Sequence, residues 1–179
     1  AVLRLPLGIG DSPTFFFLPI LLGYAYGARF GFLHGALSLF VSALRTAGVG
    51  PRMPIPMLAM GWLGMGAAAL RLLQLPAGSW REMIVLCGYS YVACMLFGAL
   101  INLYFWPFLG VGPIGWEPGL SLIEAIGRYW AYYVVSGSLA WDTLRAISTT
   151  VLIALLHRPL LRLLRRFHAR FFWAQTTYA

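Results

Sequence analysis

Residues 14–56 read TFFFLPILLGYAYGARFGFLHGALSLFVSALRTAGVGPRMPIP. The stretch opens apolar, carries glycines at 23, 27, 31 and 35, and ends in a loop of Gly, Pro and Arg. Glycines four residues apart fall close to one helical face, where a second backbone can approach closely. Arg29 sits near the middle of the apolar run. One helix over 14–44 would carry that guanidinium to the centre of a bilayer, at a cost of at least about 3 kcal/mol. Two short helices with Arg29 at the turn avoid the cost. The stretch therefore reads as a helical hairpin followed by a structured loop.

The rest of the 179 residues place this hairpin in a membrane. Hydrophobic residues make up 60% of the chain and charged residues 10%, with a mean hydropathy of +0.78. A soluble domain carries about a quarter charged residues. The composition is that of an all-α integral membrane protein. Its net charge of +8 sets thirteen arginines, with no lysine, against five acidic residues. In such a chain the excess sets membrane orientation and does not imply a nucleic-acid partner.

What is absent narrows the function classes. Without lysine there is no GK[ST] phosphate cradle, so ATP hydrolysis by that device is excluded. There is no GxSxG, and His34, His157 and His168 lack metal-ligand spacing. No enzyme, cofactor or metal is expected. Cys87 and Cys94, seven apart on one helix, are separated by about 10 Å of helical rise and cannot bond to each other.

Five spans follow in order, at about 14–26, 30–44, 57–73, 82–106 and 128–156, within one transmembrane domain over 1–164. Residues 5–13 form a turn-rich loop with Asp11, and Pro51, Pro54 and Pro56 stiffen the loop at 45–56. The third span holds Gly61, Gly64 and Gly66, again suited to close packing. Residues 120–127 read as weakly amphipathic. Pro159 marks the start of a basic amphipathic tail over 157–179, suited to anionic lipid or to a cytoplasmic partner.

Charge counting orients the spans. Alternate loops hold Arg29, then Arg71 and Arg81, then Arg158, Arg162, Arg165, Arg166 and Arg170. The opposite set mixes Arg4, Arg45, Arg52 and Arg128 with Asp11, Glu117 and Glu124. The positive-inside rule puts the first set and the C-terminus in the cytoplasm. Five spans then start outside, and a further helix upstream of Ala1 is expected.

Candidate contacts lie on the later spans and the loop. Asp142 and Arg145, three apart in WDTLRA, share a helix face and can neutralise each other. They read equally as an internal salt bridge or as a ligand contact. Asn102 ends a face with Tyr91, Cys94 and Gly98 and could hydrogen-bond a substrate. Trp106 and Trp116 taken singly read as an interfacial belt. Arg52, near Trp62 and the 106–116 loop, could belong to a lid over an outward pocket.

FGFLHGALSLFVSALRTAGVGPRMPIPMLAMGWLGMGAAAL, INLYFWPF and LAWDTLRA together resemble the substrate-binding S component of energy-coupling factor transporters, in its actinobacterial vitamin-uptake subgroup. The resemblance covers about residues 5–164 and is most specific in the hairpin and GVGPRMPIPM. It implies a six-helix bundle with both termini cytoplasmic, of which five spans are present here. It implies a vitamin substrate, cobalamin first, in an inner (cytoplasmic) membrane transporter. Partners would be a coupling transmembrane subunit and two cytoplasmic ATPases. Carried over by position, substrate contacts would be Arg52, Met53, Trp62, Asn102, Trp106, Asp142 and Arg145. Gly23, Gly27, Gly31, Gly35, Gly61 and Gly64 would serve helix packing. A structural or accessory subunit of a larger complex is the alternative.

Overall fold

The computed structural model of the chain describes residues 14–45, 50, 53–109 and 112–176. Among these there are six α-helices, two short 3-10 segments and no strand. The expected loop at 5–13 and, within the loop at 45–56, residues 46–49 and 51–52, Arg52 among them, lie outside the described residues.

Helix α1 (Thr14–Tyr26) is apolar all round, the pattern of a helix enclosed by others. Phe16, Ile20, Leu21 and Tyr24 are buried on it, and it packs against α2, α3, α4 and α6. The chain reverses at Gly27, whose φ of +104° suits a residue without a Cβ. Helix α2 (Ala28–Arg45) then runs back and lies along α3 (Pro54–Ala67).

Glycines set the spacing of these three helices. A Cβ on Gly31 would stand 2.5 Å from the Gly64 carbonyl oxygen and 2.7 Å from the Gly23 Cα. Gly35 abuts the Met60 backbone, and a Cβ on Gly61 would meet the Phe32 ring at 2.7 Å. Gly27 is a turn residue rather than a packing residue. These close approaches are contacts within the chain itself.

A 3-10 segment (Ala68–Leu73) and a turn through left-handed Gln74 lead to α4 (Trp80–Leu109). Its 30 residues extend about 45 Å. After a second 3-10 segment (Gly112–Ile114) come α5 (Leu122–Val135) and α6 (Ser138–Thr176). Helix α6 packs on α4 and α1, and α5 rests on both α4 and α6.

Two expectations for the last span are corrected. The span expected over 128–156 is broken at residues 136–137, where Gly137 has a φ of +75°. Helix α5 starts at Leu122, inside the supposedly weak 120–127 segment, because Ser121 and Glu124 form a reciprocal capping box. At the other end, α6 continues through Pro159 to Thr176. A proline removes one backbone bond, whereas burial of His157 and Leu161 on either side keeps the helix on the bundle.

Three stretches, Pro54–Leu73, Trp80–Phe108 and Ser138–Phe167, are long and apolar enough to cross a membrane. Phe15–Tyr26 and Ala28–Leu44 are apolar but shorter. Four of the five expected spans thus have counterparts here, two of full length and two short, and a long stretch over Ser138–Phe167 stands in place of the last one expected over 128–156. Leu33, Leu37, Leu96, Leu100, Ile147 and Val151 are among many large apolar side chains turned outward. Such extensive exposed apolar surface is compatible with a helical membrane protein and foreign to a soluble one.

One end of the bundle brings Arg71, Arg158, Arg162 and Arg165 together. The Tyr24 hydroxyl donates to Glu82 Oε1 at 2.9 Å, and the Tyr26 hydroxyl to the Leu164 carbonyl at 3.1 Å. Arg165 ion-pairs with Glu82, and Arg71 lies beside Gly27. These links bring the α1–α2 turn, the α3–α4 loop and residues 158–166 of α6 together. The grouping of arginines read from alternate loops is therefore a spatial one.

Candidate functional site

At the opposite end, the first turns of α6 bring an acid into the bundle. Asp142 is 2% exposed. A carboxylate at that depth is costly unless its oxygens are paired. Arg145, one turn further along, donates from Nη1 to Asp142 Oδ1 at 2.6 Å. The Tyr133 hydroxyl of α5 donates to Oδ2 at 2.7 Å. The Asn102 amide of α4 donates to the same oxygen at 3.4 Å, and to the Gly98 carbonyl at 2.9 Å. Three helices converge on one carboxylate.

The approach needs Gly98, since any Cβ there would collide with the Asp142 carboxylate. The Arg145 guanidinium lies 5.0 Å from the centre of the Phe16 ring and 5.6 Å from that of Phe97. Ring faces stabilise a desolvated cation, so the pair is held by its own charges and by two π-systems. Phe16 brings the central helix α1 into the site as well.

An aromatic column leads from this cluster to the α4–α5 loop. Tyr133 stacks on Tyr129 with centroids 5.9 Å apart, and Tyr129 meets Trp106 edge-on at 5.6 Å. Trp106 is buried, and its indole N–H donates to the Ile114 carbonyl at 2.8 Å. Arg128 reaches the Gly115 carbonyl at 3.3 Å and Glu117 at 3.1 Å, tying the loop to α5. At the start of α5, the Ser121 hydroxyl and backbone N–H hold the Glu124 carboxyl below the usual carboxylate range.

The residues singled out from sequence fare differently. Asn102, Asp142 and Arg145 meet directly, and Trp106 joins them through the tyrosines. The belt reading of Trp106 is corrected, because the Ile114 carbonyl gives its N–H a partner inside the bundle; Trp116 remains half-exposed. Trp62 is half-exposed on α3, and none of the hydrogen bonds or ring contacts above involves it. Met53 is buried at the N-cap of α3. Asp142 and Arg145 form the ion pair that their spacing allows.

Tyr133, Phe16, Phe97 and Glu82 went unrecognised in the sequence. Tyr133 carries no signal, because its distance from Asp142 depends on the α5–α6 break. Glu82 had one: Ser79-Trp-Arg-Glu82 fits the S-x-x-E capping pattern. The Ser79 hydroxyl does cap the Glu82 N–H at 3.1 Å, but the Glu82 carboxylate turns inward and is fully buried. Among the described residues, no group of three or more His, Cys, Asp or Glu side chains could hold a metal ion.

Asn102 is the least committed member of the cluster. Its amide makes the longest of the three bonds to Asp142, and its carbonyl oxygen takes part in none of them. No protein-family profile, curated protein or solved structure matches the chain.

Proposed function

We propose that the chain is a membrane-embedded substrate-binding subunit of the S-component type, capturing a vitamin at the outer face for uptake. Cobalamin is the first candidate. The observation that supports this reading is the buried Asp142–Arg145–Tyr133–Asn102 cluster, under a tied-down loop and at the end opposite the cluster of Arg71, Arg158, Arg162 and Arg165. Intramembrane charges of this kind mark ligand or transport sites by default. The arginine-rich end then faces the cytoplasm of an inner-membrane protein, by the positive-inside rule.

In this reading Asn102 and the aromatic column receive the amide-rich, planar parts of the vitamin, while Asp142 and Arg145 hold the floor of the site. Release inward follows reorientation of the bundle within a complex. A coupling transmembrane subunit and two cytoplasmic ATPases supply the energy, and this chain hydrolyses nothing itself. The test is saturable binding of one vitamin from a panel to the purified protein. Asn102→Ala should weaken that binding about tenfold, the worth of a buried hydrogen bond to ligand. Absence of saturable binding to any vitamin ends the proposal.

One observation favours a second reading, a structural or accessory subunit of a larger complex. Both Asp142 oxygens already have partners within the chain. On that reading Asp142→Asn, Arg145→Met and Arg52→Ala change assembly or stability and leave uptake of every vitamin untouched.

A further inference from the structure

The arginine-rich end contains a cavity of about 400 Å³ between the α3–α4 loop, the first turn of α4 and the far half of α6. Gly78, Glu82, Arg158, Leu161, Arg162 and Arg165 line it. Glu82 is fully committed: it accepts from the Tyr24 hydroxyl at 2.9 Å, from the Gly78 N–H at 2.7 Å, and from Arg165. Arg165 is positioned in turn over the Tyr24 ring, 5.9 Å from its centre.

Arg158 and Arg162 have no such partner. Among the described residues, neither forms an ion pair with a carboxylate. The one bond between them runs from Arg162 Nε to the Arg158 carbonyl at 3.2 Å. Four residues apart, they project from one face of α6 and repel each other. Three guanidinium groups and one carboxylate share the cavity walls, so positive charge is left uncompensated.

We propose that this cavity is a binding site for a phosphate group. Arginine forks match phosphate oxygens in pairs, and an anion between Arg158 and Arg162 turns their repulsion into two attractions. The buried Glu82 fixes Arg165 as the third wall and does not face the anion with a free oxygen. The cavity lies near the end of the apolar Ser138–Phe167 stretch, where either a phospholipid headgroup or a soluble phosphate can reach it. It is separated from Asp142 by about half the length of α6.

The experiment uses purified full-length protein in a neutral detergent, read by thermal shift and by native mass spectrometry. One arm titrates phosphatidylglycerol against phosphatidylcholine, and the other titrates inorganic phosphate. At least one of phosphatidylglycerol and phosphate should bind, with about tenfold weaker binding in Arg158→Gln and in Arg162→Gln. Arg166→Gln, on the same stretch but outside the cavity lining, should bind as the parent does. Phosphatidylglycerol binding alone identifies a lipid headgroup as the source, and phosphate binding alone a soluble ligand. Equal losses in all three variants mean diffuse charge attraction and overturn the proposal, as does binding of neither probe. Arg162→Lys, which keeps the charge and loses the fork, should fall between parent and Arg162→Gln and guards against a variant that fails to fold.

Discussion

The Tyr133 hydroxyl donates to Asp142 Oδ2 at 2.7 Å, and this bond spans the break between α5 and α6. Two helices that the sequence runs together are separated by Gly137 and rejoined by a side chain. Tyr133→Phe should lose about 1.5–3 kcal/mol, the range for a hydrogen bond to a charged group. Asp142→Asn should lose about 3–5 kcal/mol, because it strands the Arg145 guanidinium. The double variant Asp142→Asn/Arg145→Met should lose less than the sum of its parts. Unfolding in mild detergent, monitored as a double-mutant cycle, checks all of these values.

Gly31→Ala should separate α1, α2 and α3. Its new methyl would fall on the Gly64 carbonyl and the Gly23 Cα, both backbone atoms that cannot rotate away. Overpacking of this kind costs about 1–3 kcal/mol. A lower melting temperature together with unchanged Asp142–Arg145 geometry would locate the damage in the hairpin. Gly88→Ala serves as the control, since a Cβ at that position meets nothing within 4 Å.

Gly137→Ala tests backbone strain without a clash. Its φ is +75° and a Cβ there has no neighbour within 4 Å. The expected loss is about 1–2 kcal/mol, and Gly137→Asn should lose less, because asparagine enters the left-handed region more readily. Equal stability of all three proteins in a denaturation series would show that the break does not depend on this conformation.

Glu82→Gln should loosen the arginine-rich end. The amide keeps one acceptor for Tyr24 or Gly78 and removes the charge that holds Arg165. The expected loss is about 2 kcal/mol, smaller than for Asp142 because the Arg165 side chain is 38% exposed and screened by solvent. Faster hydrogen exchange at the start of α4, with α5 unaffected, is the signature to look for.

Glu124 supplies a pH dependence at the other end. Its carboxyl is held low, first by the Ser121 hydroxyl and then by the Ser121 N–H. A depressed folded-state pKa means the cap stabilises α5 above the ordinary glutamate value and fades as pH falls through the folded one. Ser121→Ala should raise the Glu124 midpoint toward the ordinary value and fray the first turn of α5. Carboxyl carbon NMR across an acid titration reads both effects, and an unchanged midpoint would refute the capping account.

An all-helical, membrane-compatible character, a chain reversal close to Arg29, the long apolar helices and the grouping of arginines on alternate loops are readable from the sequence, and the structure moves the reversal to Gly27, with Arg29 inside α2. The sequence readings rest on composition and on periodicities within about a dozen neighbouring residues, where backbone geometry is local. The Asp142–Arg145 pair was legible for the same reason, since three residues along a helix fixes their separation. That Tyr133, Asn102, Phe16 and Phe97 close around that pair, that Trp106 is buried and that Glu82 turns inward follows from helix packing and not from local pattern. Those contacts depend on how each helix is rotated and slid against its neighbours. Close-packed glycines at 23, 31 and 64, and at 98 beneath Asp142, set that register across the bundle. Spacing along one helix carries no record of it.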